Sequence, residues 1–159
     1  MSVFYDTVKN YFAGADWSYE ELGNDVLATD FSGDDAAWTC LAQVSEENRQ
    51  LIFYSIFPQY ISDQGRADVM EFITRINYGL SIGNFELDLQ DGEVRFKTSI
   101  DVEGSELSFG LWRHIVYLNV TTMNTYFRGI EAVAAGSVGP QEMIEAIEQE
   151  NFADKDSKE

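Results

Sequence analysis

The chain has 159 residues, 45% of them hydrophobic and 14% aromatic, which suits one globular domain with a single core and excludes wholesale disorder. Acids outnumber bases 28 to 10, a formal charge of −18. Nucleic acids and anionic membrane surfaces are therefore not expected partners, whereas a basic protein segment would be attracted; solubility alone also accounts for such a charge.

The first element expected is a helix over residues 2–13. Phe4, Val8, Tyr11 and Phe12 recur at helical spacing, with Asp6, Lys9 and Asn10 turned away from them. Gly14-Ala15-Asp16 ends it. A first strand follows near 25–31, weakly patterned, and "SGDD" at 32–35 turns the chain. The second strand, 36–45, places Trp38, Cys40, Ala42 and Val44 on one face and Thr39, Gln43 and Ser45 on the other. The third, 50–57 (QLIFYSIF), is apolar on both faces, which suits a central strand or one that meets a partner; Pro58 stops it. A helix from Gly65 to Tyr78 then carries one apolar stripe, Val69, Phe72, Ile73 and Ile76.

"GNFELDLQDGEVRFKTSID", residues 83–101, reads as two alternating strands around Asp91-Gly92. A two-residue type I′ turn there pairs Leu89 with Val94 and Leu87 with Phe96 on the inner face. On the outer face it sets Asp88 opposite Arg95 and Glu86 opposite Lys97, so the change of charge sign fixes the register.

A long helix over 111–135 follows, apolar over an arc of roughly 200°. That is twice what one sheet needs, so the helix must pack against two things. Trp112, Val116, Met123 and Phe127 on that arc are candidate contacts of a second copy of the chain; the first and last helices of the same chain are the alternative cover, so the face of the dimer stays open. "GSVGP" at 136–140 breaks the helix, and Pro140 opens another. From Asn151 a polar tail, 151–159, is expected to fray. The order α-β-β-β-α-β-β-α-α predicts one α+β domain over 1–150, a five-stranded antiparallel sheet with helices mainly on one face.

Reactive chemistry is sparse. Cys40, the single cysteine, excludes an intrachain disulfide and points to a reducing compartment; its strand buries it beside Trp38, as an unreactive thiol. His114 is the single histidine, and one His with one Cys cannot assemble a zinc or iron site. "DFSGDD", with Asp30, Asp34 and Asp35, lacks the spacing of a calcium loop. The glycines of "GADWSYEELG" and "GSVGP" fit no phosphate cradle and read as helix ends. No catalytic residue, metal or cofactor is expected. Asn119 projects into the middle of the long helix's apolar arc near Thr122 and Tyr126, and Asn77 lies at the edge of the preceding helix's stripe. A buried amide needs partners or costs about 1–3 kcal/mol. These four residues mark either local backbone bonding or a packing junction or pocket. MSVFYDTVKNYF lacks the basic start and apolar run of a signal peptide, and no uncharged apolar run approaches the ~18 residues that span a bilayer, so a cytoplasmic protein is expected.

Together, "WTCLAQVSEENRQLIFYSIFPQYISDQGRADVMEFITRIN" and "INYGLSIGNFELDLQDGEVRFKTSID" resemble the YbjN-domain family. The resemblance rests on a helix ending in Asn77, a "G-x-F-x-L-D" strand at Gly83, Phe85, Leu87 and Asp88, and the "G-x-V" that follows, and it spans about residues 3–135. It implies a fold like that of class I type III secretion chaperones, usually dimeric, and a role as a sensory transduction regulator, with no catalytic residues to carry over. The expected function is a non-catalytic, chaperone-like or regulatory adaptor that binds a protein segment as a homodimer. The competing class is an enzyme or small-molecule-binding protein that uses carboxylates and tyrosines in a pocket near the long helix.

Overall fold

The structure, a computed structural model, describes residues 3–157. Helix α1 (Val3–Gly14) leads into four strands, β1 (Glu20–Gly23), β2 (Val26–Ser32), β3 (Ala37–Ser45) and β4 (Gln50–Ile56). Helix α2 (Arg66–Gly79), strands β5 (Asn84–Leu87) and β6 (Val94–Asp101), and helices α3 (Phe109–Ala134) and α4 (Pro140–Asp156) complete the fold. The strands form one antiparallel sheet in the order β1-β2-β3-β4-β6-β5. The α+β class holds, but the sheet has six strands where the sequence predicts five.

The extra strand, β1, comes from "EELG", four exposed residues with no alternation to betray them. Asn24 and Asp25, both at positive φ (52° and 57°), form a two-residue turn that folds it back on β2, with Gly23 opposite Val26. Asn and Asp tolerate this left-handed geometry better than other non-glycine residues, so the primed hairpin turn sits here and not at Asp91-Gly92.

The β5–β6 hairpin departs from its expected register by two residues. Phe85 pairs with Phe96, Glu86 with Arg95 and Leu87 with Val94. Asp88 N–H donates to Glu93 O at 2.9 Å, and Gly92 N–H donates to Asp88 O at 2.8 Å, so four residues form the loop and only Gly92 takes positive φ (87°). Gly92 is also pressed against Ile61, whose N–H donates to its carbonyl at 2.8 Å; a Cβ on Gly92 would lie 2.2 Å from Ile61 O. That docking, which local turn preference does not encode, selects the loop. Because the shift is even, every side chain keeps its face. Glu86 now serves both cations, accepting from Arg95 Nε at 2.6 Å and pairing diagonally with Lys97, while the Asp88 side chain caps Gln90 N–H.

The helices cover one face of the sheet. In β3 the buried residues are Trp38, Cys40, Ala42 and Val44, and the alternate residues turn outward. α3 lies over β4 and β6, with α1 on one flank and α2 and α4 on the other. These flanking helices explain the wide apolar arc of α3. Val69, Phe72, Ile73 and Ile76 of α2 are all buried, as the stripe predicts, each contributing roughly 1.5–3 kcal/mol. Gly129 of α3 lets three helices converge, since a Cβ there would lie 2.8 Å from Phe72 and 3.1 Å from Ile147. α4 continues to Asp156, six residues into the segment set apart as a polar tail, although Ile147 is its one buried residue.

Candidate functional site

Asn119 is fully buried where α3 crosses the seam of β4 and β6. Its amide Nδ2 donates to Phe53 O at 2.8 Å, Phe96 O at 3.1 Å and Thr98 Oγ1 at 3.2 Å, and the Thr98 hydroxyl donates onward to Ile115 O of α3. Its Oδ1 has no partner among the described residues. The amide is thus a polar clamp between helix and sheet. Asn77 does a related task at the sheet margin. Phe85 N–H donates to its Oδ1 at 2.7 Å, and its Nδ2 donates to Phe85 O at 3.0 Å. Phe85 and Phe96 sit opposite each other with ring centroids 4.7 Å apart, and the backbone of Phe85 points outward, where Asn77 stands in for the next strand. Tyr126, half-buried, meets Phe85 and Phe72 edge-on. Burial, then the charge of Glu148, pushes its hydroxyl pKa up. Thr122 is half-buried on the same side of α3. Phe85 and Phe96 therefore link Asn77, Asn119 and Tyr126.

The candidate contact residues Trp112, Val116, Met123 and Phe127 are buried within the protomer, at 2%, 4%, 0% and 4% exposure. Met123 and Phe127 belong to the core, Phe127 stacking on Trp38 and meeting Phe57 at a tilt. Trp112 and Val116 instead form the floor of an open cavity of about 380 Å³, with Val120 completing an i, i+4, i+8 row. Ala15 and Trp17, from the segment after α1, Phe31 of β2, and Phe109 make its walls. Arg113, Tyr117 and Thr121 form a second row of α3 along the rim. Sequence reasoning missed this groove because its walls come from three distant segments. The available signal was the aromatic density of "ADWSY" and "FGLWR", the latter overlapping the helix start capped by Ser108, whose Oγ accepts from Leu111 N–H.

The acidic turn 32–35 is fastened to α3. Asn124 Nδ2 donates to Asp34 Oδ2 at 3.2 Å, and the Arg128 guanidinium donates to Asp35 O. No group of three His, Cys, Asp or Glu side chains suited to a metal ion occurs among the described residues. His114 is exposed. Cys40 is fully buried, 3.6 Å from Ser55 Oγ; burial raises its thiol to about 12, against smaller lowering by hydrogen bonds from Ser55 and Trp38.

The two margins of the sheet differ. At β5 the outward backbone of Phe85 is occupied by Asn77. At β1 the sheet ends with no further strand among the described residues, and Glu20–Gly23 are all exposed. Glu21 there pairs with Lys9 at 3.0 Å and accepts from Tyr5, which holds its carboxyl below the usual range, while Glu20 has no such partner among the described residues.

A family model described as "Putative bacterial sensory transduction regulator", that of YbjN, matches residues 5–132, leaving α4 outside it. The chain is similar in fold to a solved structure titled "Crystal structure of YbjN, a putative transcription regulator from E. coli". The TM-score is 0.63 at 15% identity, over 82% of this chain and 92% of that one. No curated protein matches the chain.

Proposed function

Because the chain belongs to the YbjN family, we propose that it is a non-catalytic regulatory adaptor that holds an extended, basic segment of another protein. The observation that carries this reading is the open acidic margin of the sheet at β1, set against the margin at β5 that Asn77 closes. An extended segment added beside β1 gains main-chain hydrogen bonds, and its cations meet Glu20 in the field of a chain of charge −18. The family's description as a regulator agrees with a binding role. The reading includes a homodimer that works in the cytoplasm in the manner of a secretion chaperone, with contacts made by residues other than the buried Met123 and Phe127. No helix among the described residues is long and apolar enough to cross a membrane.

The test is an affinity capture from native lysate with graded salt washes, comparing the native chain with one carrying Glu20→Lys and Leu22→Lys on the β1 edge. A recurrent protein that salt releases and the edge variant fails to retain supports the reading. Equal retention by both chains, or a metabolite and no protein, overturns it. Light scattering tests the dimer: twice the 18.0 kDa protomer mass is expected at micromolar concentration, and the protomer mass alone contradicts it.

A further inference from the structure

The α3 groove has a chemistry at odds with the rest of the molecule. The chain carries 28 acids, yet none of the ten residues lining the cavity is Asp or Glu. Asp16, between Ala15 and Trp17, is exposed and outside the lining. The one charged residue of the lining is Arg113. Lys9, Arg66, Arg75, Arg95, Lys97 and Arg128 all pair with carboxylates, and Arg49 donates to Ser105 O and lies over the Phe4 ring. Among the described residues Arg113 has no such partner. At the rim of an apolar cavity this exposed guanidinium is available to an anion.

The floor beside Arg113 is Trp112. Trp112 is 2% exposed, and its indole Nε1 has no hydrogen-bond partner among the described residues, whereas the indole of Trp38 donates to Ser55 Oγ at 2.8 Å. The indole nitrogen itself is buried, so Trp112 offers the cavity its ring face and not its N–H. The remaining walls are aromatic. Phe109 stacks on Trp112 with centroids 5.7 Å apart, and Trp17 faces Phe31 at 6.1 Å. The volume of about 380 Å³ lies in the range of small-molecule sites. The turn after Phe31 is fastened to Asn124, one helical turn beyond Thr121, which suits a compact occupant over an extended chain.

We propose that this groove binds a small aromatic carboxylate, its ring between Trp17, Phe31, Phe109 and Trp112 and its carboxylate on Arg113. The site is lined by none of the β1 residues Glu20–Gly23, and the proposal does not depend on the adaptor reading.

The test follows the three tryptophan indole N–H signals by NMR, assigned with single Trp→Phe variants, during titration with 2-naphthoate, the neutral 2-naphthylmethanol and the cationic 2-naphthylmethylammonium. Naphthoate is expected to move the Trp17 and Trp112 signals and leave Trp38 in place. Both Arg113→Gln and the loss of charge in the alcohol are expected to weaken binding about tenfold. Arg113 is exposed, so its variant keeps the fold, which an unchanged Trp38 signal verifies. Equal binding of acid and alcohol, an Arg113→Gln chain that binds naphthoate as the native chain does, or no movement of Trp17 and Trp112 at millimolar ligand overturns the proposal. A peptide ending in phenylalanine that displaces naphthoate at equal concentration also overturns it, since the site would then belong to a polypeptide terminus.

Discussion

Replacing Asn119 by leucine removes the clamp between α3 and the sheet while keeping the side chain's size. The amide donates to Phe53 O, Phe96 O and Thr98 Oγ1 in a fully buried setting. The amide's two protons, shared among these three acceptors, at a net value of about 1–1.5 kcal/mol each, set the loss near 3 kcal/mol. Leucine also abolishes the unpartnered Oδ1, whose burial is itself unfavourable by about 1 kcal/mol or more, so the net destabilisation should be about 2 kcal/mol. Asn119→Asp should cost more than about 4 kcal/mol at neutral pH, because it exchanges the donor for a buried charge facing two carbonyls. Urea unfolding at 25 °C reads both: with a slope of ~2 kcal/mol per molar, the leucine variant should lose about 1 M in midpoint at unchanged slope. An Asn119→Leu chain within about 0.5 kcal/mol of the native one would refute the clamp, since an apolar side chain would then serve the junction equally well.

Two further predictions concern ionisation. Burial tends to raise the Glu86 carboxyl, but Lys97 and Arg95 outweigh it and hold the pKa below the usual value. A depressed folded-state pKa gives stability that is present above the unfolded value of about 4.3 and lost as pH falls through the folded one. Glu86→Gln should therefore cost about 1 kcal/mol at pH 7, kept small by partial exposure, with the gap to the native chain narrowing as pH falls below the unfolded value; a gap that stays constant, or widens, as pH falls through the acid range would contradict this. Cys40, protonated at pH 8 with a pKa near 12 and fully buried, should ignore a thiol reagent in the native chain and react once urea unfolds it; rapid stoichiometric reaction of the folded chain would count against the burial.

Much of this fold is written in local periodicity. The α2 stripe, the buried face of β3 and the double packing of α3 follow from residue spacing alone. Asn119 was also legible, because an amide in the centre of an apolar arc must be buried and must find partners. What escaped was set by contacts between distant segments. β1 exists because Asn24 and Asp25 adopt positive φ and supply β2 as its neighbour. The β5–β6 loop is chosen by the approach of Ile61 to Gly92, which no turn statistic contains. The apolar row of Trp112 and Val116 left open what covers it; Ala15, Trp17 and Phe31 wall that row and leave a groove, a contact between distant segments that spacing does not contain.

The central claim is that a partner segment docks on the acidic β1 margin. Amide hydrogen exchange, with and without the salt-released partner, tests it most directly. The account predicts slowed exchange at Glu20–Gly23 and in the adjoining β2, with β5 unchanged because Asn77 already occupies its outward backbone. Slowed exchange at β5 or along α2 and α3, with β1 as fast as in the free chain, would contradict it.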